Sequence, residues 1–190
     1  MAVRGKLFIV SGPSGSGKSS LVSDIVNEAD DFVRSISVTT RPKREDEASG
    51  SHYHFISKDK FERLIEKDML LEWAPYAGYL YGTLKSFVSE NLRKGKNVIL
   101  VIEVKGAMQV IEKVKDTYLI FITTSSFKEL EERIKKRGAE GPEEMKRRLE
   151  IARSELDHIK HYDCIIVNNN YNDALLNLKK ALNSQKGGMT

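Results

Sequence analysis

The residues best suited to chemistry lie near the start of the chain, in Gly12-Pro13-Ser14-Gly15-Ser16-Gly17-Lys18-Ser19. This run matches G-x-x-x-x-G-K-[ST] at every fixed position, the pattern of a loop whose backbone amides cradle phosphates. Glycine carries no β-carbon, so the main chain can wrap closely around an anion with its N–H groups turned inward. A helix beginning at the same point adds the positive end of its dipole. Lys18 is expected to reach the β- and γ-phosphates of a nucleoside triphosphate, and Ser19 to ligate Mg²⁺. The run from Gly12 to Ser20 is therefore the candidate triphosphate site.

Such a loop needs a strand before it and a helix after it. Leu7-Phe8-Ile9-Val10 is an apolar run that predicts the strand, and Leu21, Val22, Ile25 and Val26 recur at helical spacing. Val98 to Ile102 is apolar without alternation, as expected of a strand covered on both faces. Tyr118 to Ile122 and Cys164 to Val167 predict two further strands. Helices are expected from Phe87 to a glycine cap at Gly95, and from Ala107 to Val114. Another runs from the capping box Ser126-Phe127-Lys128-Glu129 to Arg137-Gly138, and the next from Pro142 to about His158. Asn172 is expected to cap a closing helix. This alternation predicts an α/β fold with a parallel sheet between helices and ligands at the carboxyl ends of its strands.

Two segments break the alternation and read as excursions from the core: Ser35 to about Lys85, and Ser126 to Glu155. The first holds a half-exposed strand over Ser35-Ile36-Ser37-Val38 and a polar loop from Thr39 to Tyr53. A strand around Tyr53 to Ile56, a helix from near Ser57 and short strands over Leu70 to Thr83 follow, with Trp73 expected in apolar packing.

A chain of 190 residues fits one principal domain. Its 31 Lys+Arg against 27 Asp+Glu are interspersed, which suits small anionic ligands and argues against nucleic acid. The single cysteine, Cys164, sits in an apolar run, excludes an intrachain disulfide and reads as a buried thiol in a reducing compartment. The longest apolar runs fall far short of the ~20 residues that span a bilayer. With no signal-peptide pattern either, the cytoplasm is the expected location and no membrane partner is expected. His52 and His54 read as strand or surface residues, and no His/Cys spacing suggests zinc.

The segments Thr39-Thr40-Arg41-Pro42-Lys43-Arg44, Gly50-Ser51-His52-Tyr53, Leu71-Glu72-Trp73, Tyr81-Gly82-Thr83 and Arg137-Gly138 follow in this order. Together they make the sequence resemble guanylate kinase over essentially the whole chain. The resemblance implies the nucleoside-monophosphate kinase variant of the P-loop fold, with a core of 1–34, 86–125 and 156–190, a GMP-binding region of 35–85 and a lid of 126–155. It implies phosphorylation of GMP and dGMP by ATP with Mg²⁺, within purine nucleotide metabolism, by a monomer or homodimer. ATP is then expected at Gly12 to Ser20 with Arg133, Arg137 and Asn168. GMP is expected at Ser37, Arg41, Arg44, Tyr53, Glu72, Tyr81, Thr83 and Glu103, and catalysis at Lys18, Arg41, Arg137 and Arg148.

The residue types suit these roles. A dianionic phosphate calls for paired guanidinium forks such as Arg41 and Arg44, with the Tyr53 and Tyr81 hydroxyls as further donors. Guanine presents two adjacent donors that one carboxylate, Glu72, can accept, whereas adenine presents an acceptor there. Sites built on hydrogen bonds reject such a mismatch by ~10⁴-fold. The sequence departs from the family where Val101 and Glu103 replace a usual acidic pair, leaving Glu103 for the GMP ribose or Mg²⁺-bound waters. Lys105 and Tyr79 also replace usual glutamine and asparagine. Two alternatives keep the fold: an enzyme with another phosphate acceptor, opposed by Glu72 and the arginine pair, and a peptide-binding scaffold module without catalysis. The module is expected to have lost the phosphate loop, which here is intact.

Overall fold

Strands that are apolar on both faces need helices on both sides, and the chain supplies them in a computed structural model that describes residues 4–45, 47–51, 53–76, 78–136 and 141–186. In chain order the strands are β1 (Leu7–Ser11), β2 (Phe32–Arg34), β3 (Val38–Thr39), β4 (His54–Phe55), β5 (Leu70–Tyr76), β6 (Tyr79–Leu84), β7 (Asn97–Val101), β8 (Thr117–Thr123) and β9 (Cys164–Val167). The helices are α1 (Lys18–Glu28), α2 (Lys58–Glu66), α3 (Lys85–Arg93), α4 (Val104–Lys113), α5 (Phe127–Lys136), α6 (Pro142–Leu156) and α7 (Tyr171–Gln185).

The main sheet is parallel, in the order β2-β7-β1-β8-β9. β1 is central and wholly buried, and its period of two divides the core. Leu7 and Ile9 join Val88, Leu92, Ala107 and Val110 on one face, while Phe8 and Val10 join Leu21, Val22, Ile25 and Leu178 on the other. Each such side chain contributes roughly 1.5–3 kcal/mol when fully buried. Val10 lies opposite Val101 in the β1–β7 register, so the chain leaving β7 emerges at Glu103 beside the loop leaving β1.

A second sheet, β4-β3-β6-β5, is built from the first excursion. Ser57 caps α2 by accepting from the Lys60 N–H at 3.3 Å, and α2 covers the sheet with Phe61, which packs on Val38 and Leu70. Along β5, Glu72 and Ala74 are buried while Trp73 is 37% exposed. Alternation thus turns the acid inward and the indole outward, correcting the expectation of a packed Trp73.

Three local expectations are refined. Ser35 to Val38 is a crossing between sheets rather than one strand: the Ser35 N–H still bonds the Ile99 carbonyl of the main sheet, and Val38 already pairs with Gly82 of the second. Asn170, not Asn172, caps α7, its side chain accepting from the N–H groups of Asn172 and Asp173 at 2.9 and 3.2 Å. At α5 the Ser126 hydroxyl accepts from the Glu129 N–H at 3.2 Å, but the Glu129 carboxylate turns to Arg133. The Arg137-Gly138 stop lies outside the described residues. Among those described, no helix is long and apolar enough to cross a membrane.

Because Phe61 closes the small core over the second sheet, Phe61→Ala is expected to cost about 3–5 kcal/mol. Denaturant unfolding measures this, and a loss below about 1 kcal/mol would contradict the packing described.

Candidate active site

The phosphate loop is shaped by backbone that only glycine tolerates: φ is 137° at Gly12, 86° at Gly15 and 93° at Gly17. Space is equally restrictive. A β-carbon would sit 2.0 Å from the Ile122 carbonyl oxygen at Gly12 and 2.3 Å from Asn168 Nδ2 at Gly17. Asn168, buried at the end of β9, donates from that amide to the Ser16 carbonyl at 2.8 Å. Arg133 stands behind it, donating to the Asn168 carbonyl at 2.7 Å and to Glu129 at 2.6 Å. The Lys18 ammonium folds back onto the loop, donating to the carbonyl of Pro13 at 2.9 Å and to that of Gly12.

This loop forms one wall of a cleft of about 490 Å³, to which Ser14, Gly15, Gly17, Lys18 and Ser19 contribute. Ser37, Arg41, Arg44, Tyr53 and Tyr81 line the same cleft from the second sheet and its loop, with Glu103 and Arg148. The Arg41 guanidinium lies over the rings of Tyr53 and Phe55, 5.4 and 5.6 Å from their centroids, and donates to Glu47 at 2.6 Å. Glu47 also accepts from the Arg44 N–H at 2.9 Å, so one carboxylate orders both ends of the Arg41–Arg44 segment. The hydrogen bond from Arg41 holds the Glu47 carboxyl below the usual carboxylate range.

A chamber of about 110 Å³ adjoins the cleft and contains Glu72, with Ser37, Tyr53, Tyr81 and Glu103 also on its walls. Glu72 is 4% exposed and accepts the Thr83 hydroxyl at 2.6 Å. Burial pushes its carboxyl up to about 7, against the opposing effect of that bond and of Lys113. The Thr83 proton is thus committed to Glu72 in this structure rather than directed at a ligand.

Of the expected site residues, the cleft and chamber gather Ser14, Gly15, Gly17, Lys18, Ser19, Ser37, Arg41, Arg44, Tyr53, Glu72, Tyr81, Glu103 and Arg148. Ser20 is exposed on α1, and Arg133 and Asn168 lie behind the loop rather than in the cleft. Arg137 is outside the described residues. Four further groups carry the electrostatics without having been singled out in the sequence. Glu47 is described above. Arg34, its charge disfavoured by burial, and Tyr76 both line the cleft. Glu155 of α6 is buried beside Glu103, and burial together with that neighbour pushes its carboxyl far above the ordinary range. Glu47 stood in an acidic stretch that signalled charge but no partner, and Glu155 had no local signal at all. Among the described residues no cluster of three metal-ligating side chains occurs.

The family described as guanylate kinase matches residues 4–185. The guanylate kinase of Thermotoga maritima is 40% identical over 188 residues, spanning 99% of this chain and 91% of that protein. That of a Synechococcus strain is 44% identical over 181 residues, spanning 95% and 83%. Among solved structures, guanylate kinase from Anaplasma phagocytophilum superposes with a TM-score of 0.82 at 27% identity, covering 98% of this chain and 89% of that one.

The Asn168 amide is the buried partner of the Ser16 carbonyl. Asn168→Ala is therefore expected to lower stability by about 1–3 kcal/mol, the cost of a buried acceptor left without a donor. Thermal unfolding tests this, and an unchanged midpoint would mean that the loop holds itself.

Proposed function

The chain belongs to the guanylate kinase family, and we infer from its own cleft how it carries out the family's reaction, the ATP-dependent phosphorylation of GMP to GDP. The observation that carries this reading is the pairing of two anion-binding walls across one cleft, with a buried carboxylate in the adjoining chamber. A glycine loop with a lysine suits the donor triphosphate, and a pair of guanidinium forks suits the acceptor phosphate. Phosphoryl transfer asks little covalent work of a protein, so positioning and charge neutralisation supply most of the acceleration. The intact loop and arginines do not favour a peptide-binding module without catalysis.

On this reading GMP places its phosphate against Arg41, Arg44, Tyr53 and Tyr81, and its guanine N1–H and amino groups against Glu72, with Ser37 and Thr83 beside the base and Glu103 toward the ribose. dGMP fits the same contacts. ATP lies along Gly12 to Ser20. Lys18 exchanges the carbonyls of Gly12 and Pro13 for phosphate oxygens, which as charged acceptors bond an ammonium more strongly. Arg41 and Arg148, which line the cleft, neutralise charge on the transferring group, and Arg137 joins them. Arg133 reaches the donor only after leaving Glu129 and Asn168, a rearrangement that closure of residues 126–155 as a lid over 1–34, 86–125 and 156–190 supplies. Residues 35–85 act as the acceptor-binding part, and Asn168 acts on the donor through the loop it braces.

Ser19, a hard oxygen donor exposed at the first turn of α1, fits Mg²⁺ arriving with ATP. The ion supplies charge neutralisation on the phosphates when bound. The cleft suits small nucleotides, and on this reading the enzyme works in the cytoplasm as a monomer or homodimer.

A coupled ADP-release assay is expected to give turnover with GMP and dGMP and very little with AMP, and equal turnover of AMP and GMP would remove Glu72 from base selection. Lys18→Ala is expected to lower kcat on the order of 10²- to 10³-fold, as for loss of one charge-stabilising donor. Near-normal turnover would refute the loop assignment. Glu72 must be ionised to accept two guanine donors, and its carboxyl stands at about 7. Protonation below that pH removes the acceptor, so KM for GMP is expected to rise as pH falls through about 7 while KM for ATP stays flat. A GMP KM constant from pH 8 to 5.5 would contradict this.

A further inference from the structure

We propose that Gly106 is a specificity-determining residue that places the Glu72 carboxylate by leaving it room, an inference that rests on the reading of Glu72 as the guanine acceptor. A glycine in the first turn of α4 runs against helix propensity, where alanine is the best residue and glycine among the poorest. Its backbone is not in the left-handed region, so no turn requires it. What requires it is Glu72. A β-carbon at position 106 would stand 2.3 Å from Glu72 Oε2 and 3.0 Å from Glu72 Cδ.

The surrounding contacts decide which group would yield. Gln109 and Lys113 lie three and seven residues beyond Gly106, on the same face of α4. Gln109 accepts from the Trp73 N–H at 3.2 Å and donates to the Trp73 carbonyl at 2.7 Å. Lys113 donates to the Leu71 carbonyl at 2.7 Å. The main chain of β5 is thus tied to α4 on both sides of Glu72, and cannot back away from a methyl group without losing three hydrogen bonds. The end of the Glu72 side chain is the flexible partner. It would swing off, carrying its carboxylate from the position in which Thr83 and the chamber walls hold it. Gly106 therefore acts on the base through Glu72, as a positioning residue.

The test is steady-state kinetics and unfolding on four variants of the full chain. Gly106→Ala is expected to fold with little change in thermal midpoint, because a side-chain end yields. It is expected to raise KM for GMP on the order of 10- to 100-fold, to narrow the preference for GMP over AMP, and to leave KM for ATP unchanged. A folded Gly106→Ala with unaltered GMP KM and base preference overturns the inference. Glu72→Gln separates the two readings: if it leaves GMP KM unchanged, the base-reading role of Glu72 fails. If it raises GMP KM and Gly106→Ala does not, only the role of Gly106 fails. In a Glu72→Ala background no carboxylate remains to be displaced, so adding Gly106→Ala should cost no further GMP affinity, and the double variant should be at least as stable as Gly106→Ala alone. Losses that add in full, or a double variant less stable than Gly106→Ala, overturn it.

Discussion

The phosphate loop depends on a shortage of space behind it. Main-chain N–H groups can converge on an anion only if the backbone turns through left-handed angles, and at Gly12 and Gly17 neighbouring groups occupy the volume a β-carbon would need. Those neighbours, the Ile122 carbonyl and the Asn168 amide, belong to β8 and to the end of β9, far along the chain. The loop is therefore a product of sheet assembly. β1 lies between β7 and β8, and Ser11, Thr123 and Asn168 are buried where the strands end behind the loop. Arg133 and Glu129 extend this support into α5, so the same helix backs the loop and belongs to the segment proposed as the lid.

Around that loop the protein manages a concentration of charge. Glu47 and Glu72 are both carboxylates, yet their proton affinities shift in opposite directions. Glu47 is bonded to a guanidinium and stays readily ionised, whereas Glu72 is enclosed with a hydroxyl donor and the more distant Lys113. Burial disfavours a charge unless a partner of opposite sign compensates. The first carboxylate therefore serves as a brace for cations, and the second sits enclosed with the Thr83 hydroxyl donating to it. Glu155 takes this further, since a buried acid beside a second carboxyl, that of Glu103, holds its proton well above the ordinary range.

The two sheets meet along the seam between α4 and β5. β5 belongs to the smaller sheet, but its main chain at Leu71 and Trp73 is bonded by Lys113 and Gln109 of a helix packed on the larger one. Glu72 is consequently fixed to the core, while Arg41 and Arg44 ride on the loop between β3 and β4. Glu72 and the arginine pair thus have different mechanical supports.

Sequence alone determined what short-range pattern can determine. The glycine loop, strands at Leu7 to Val10, Val98 to Ile102 and Cys164 to Val167, the α/β class and most helices follow from periodicity, caps and turn residues, which act over a few positions. The arginine pair, the tyrosines and Glu72 were legible because their order along the chain resembles a known family. Tertiary structure decided the rest. Asn168 as a brace, Glu47 as the partner of two arginines, Glu155 beside Glu103 and Gly106 beneath Glu72 are relations between segments that share no local signal. Even Trp73 and Asn170 were set by which face a strand turns inward and where a helix begins in space. Spacing along a chain fixes which face a residue occupies on its own element, but the partner on that face is chosen only when the elements pack.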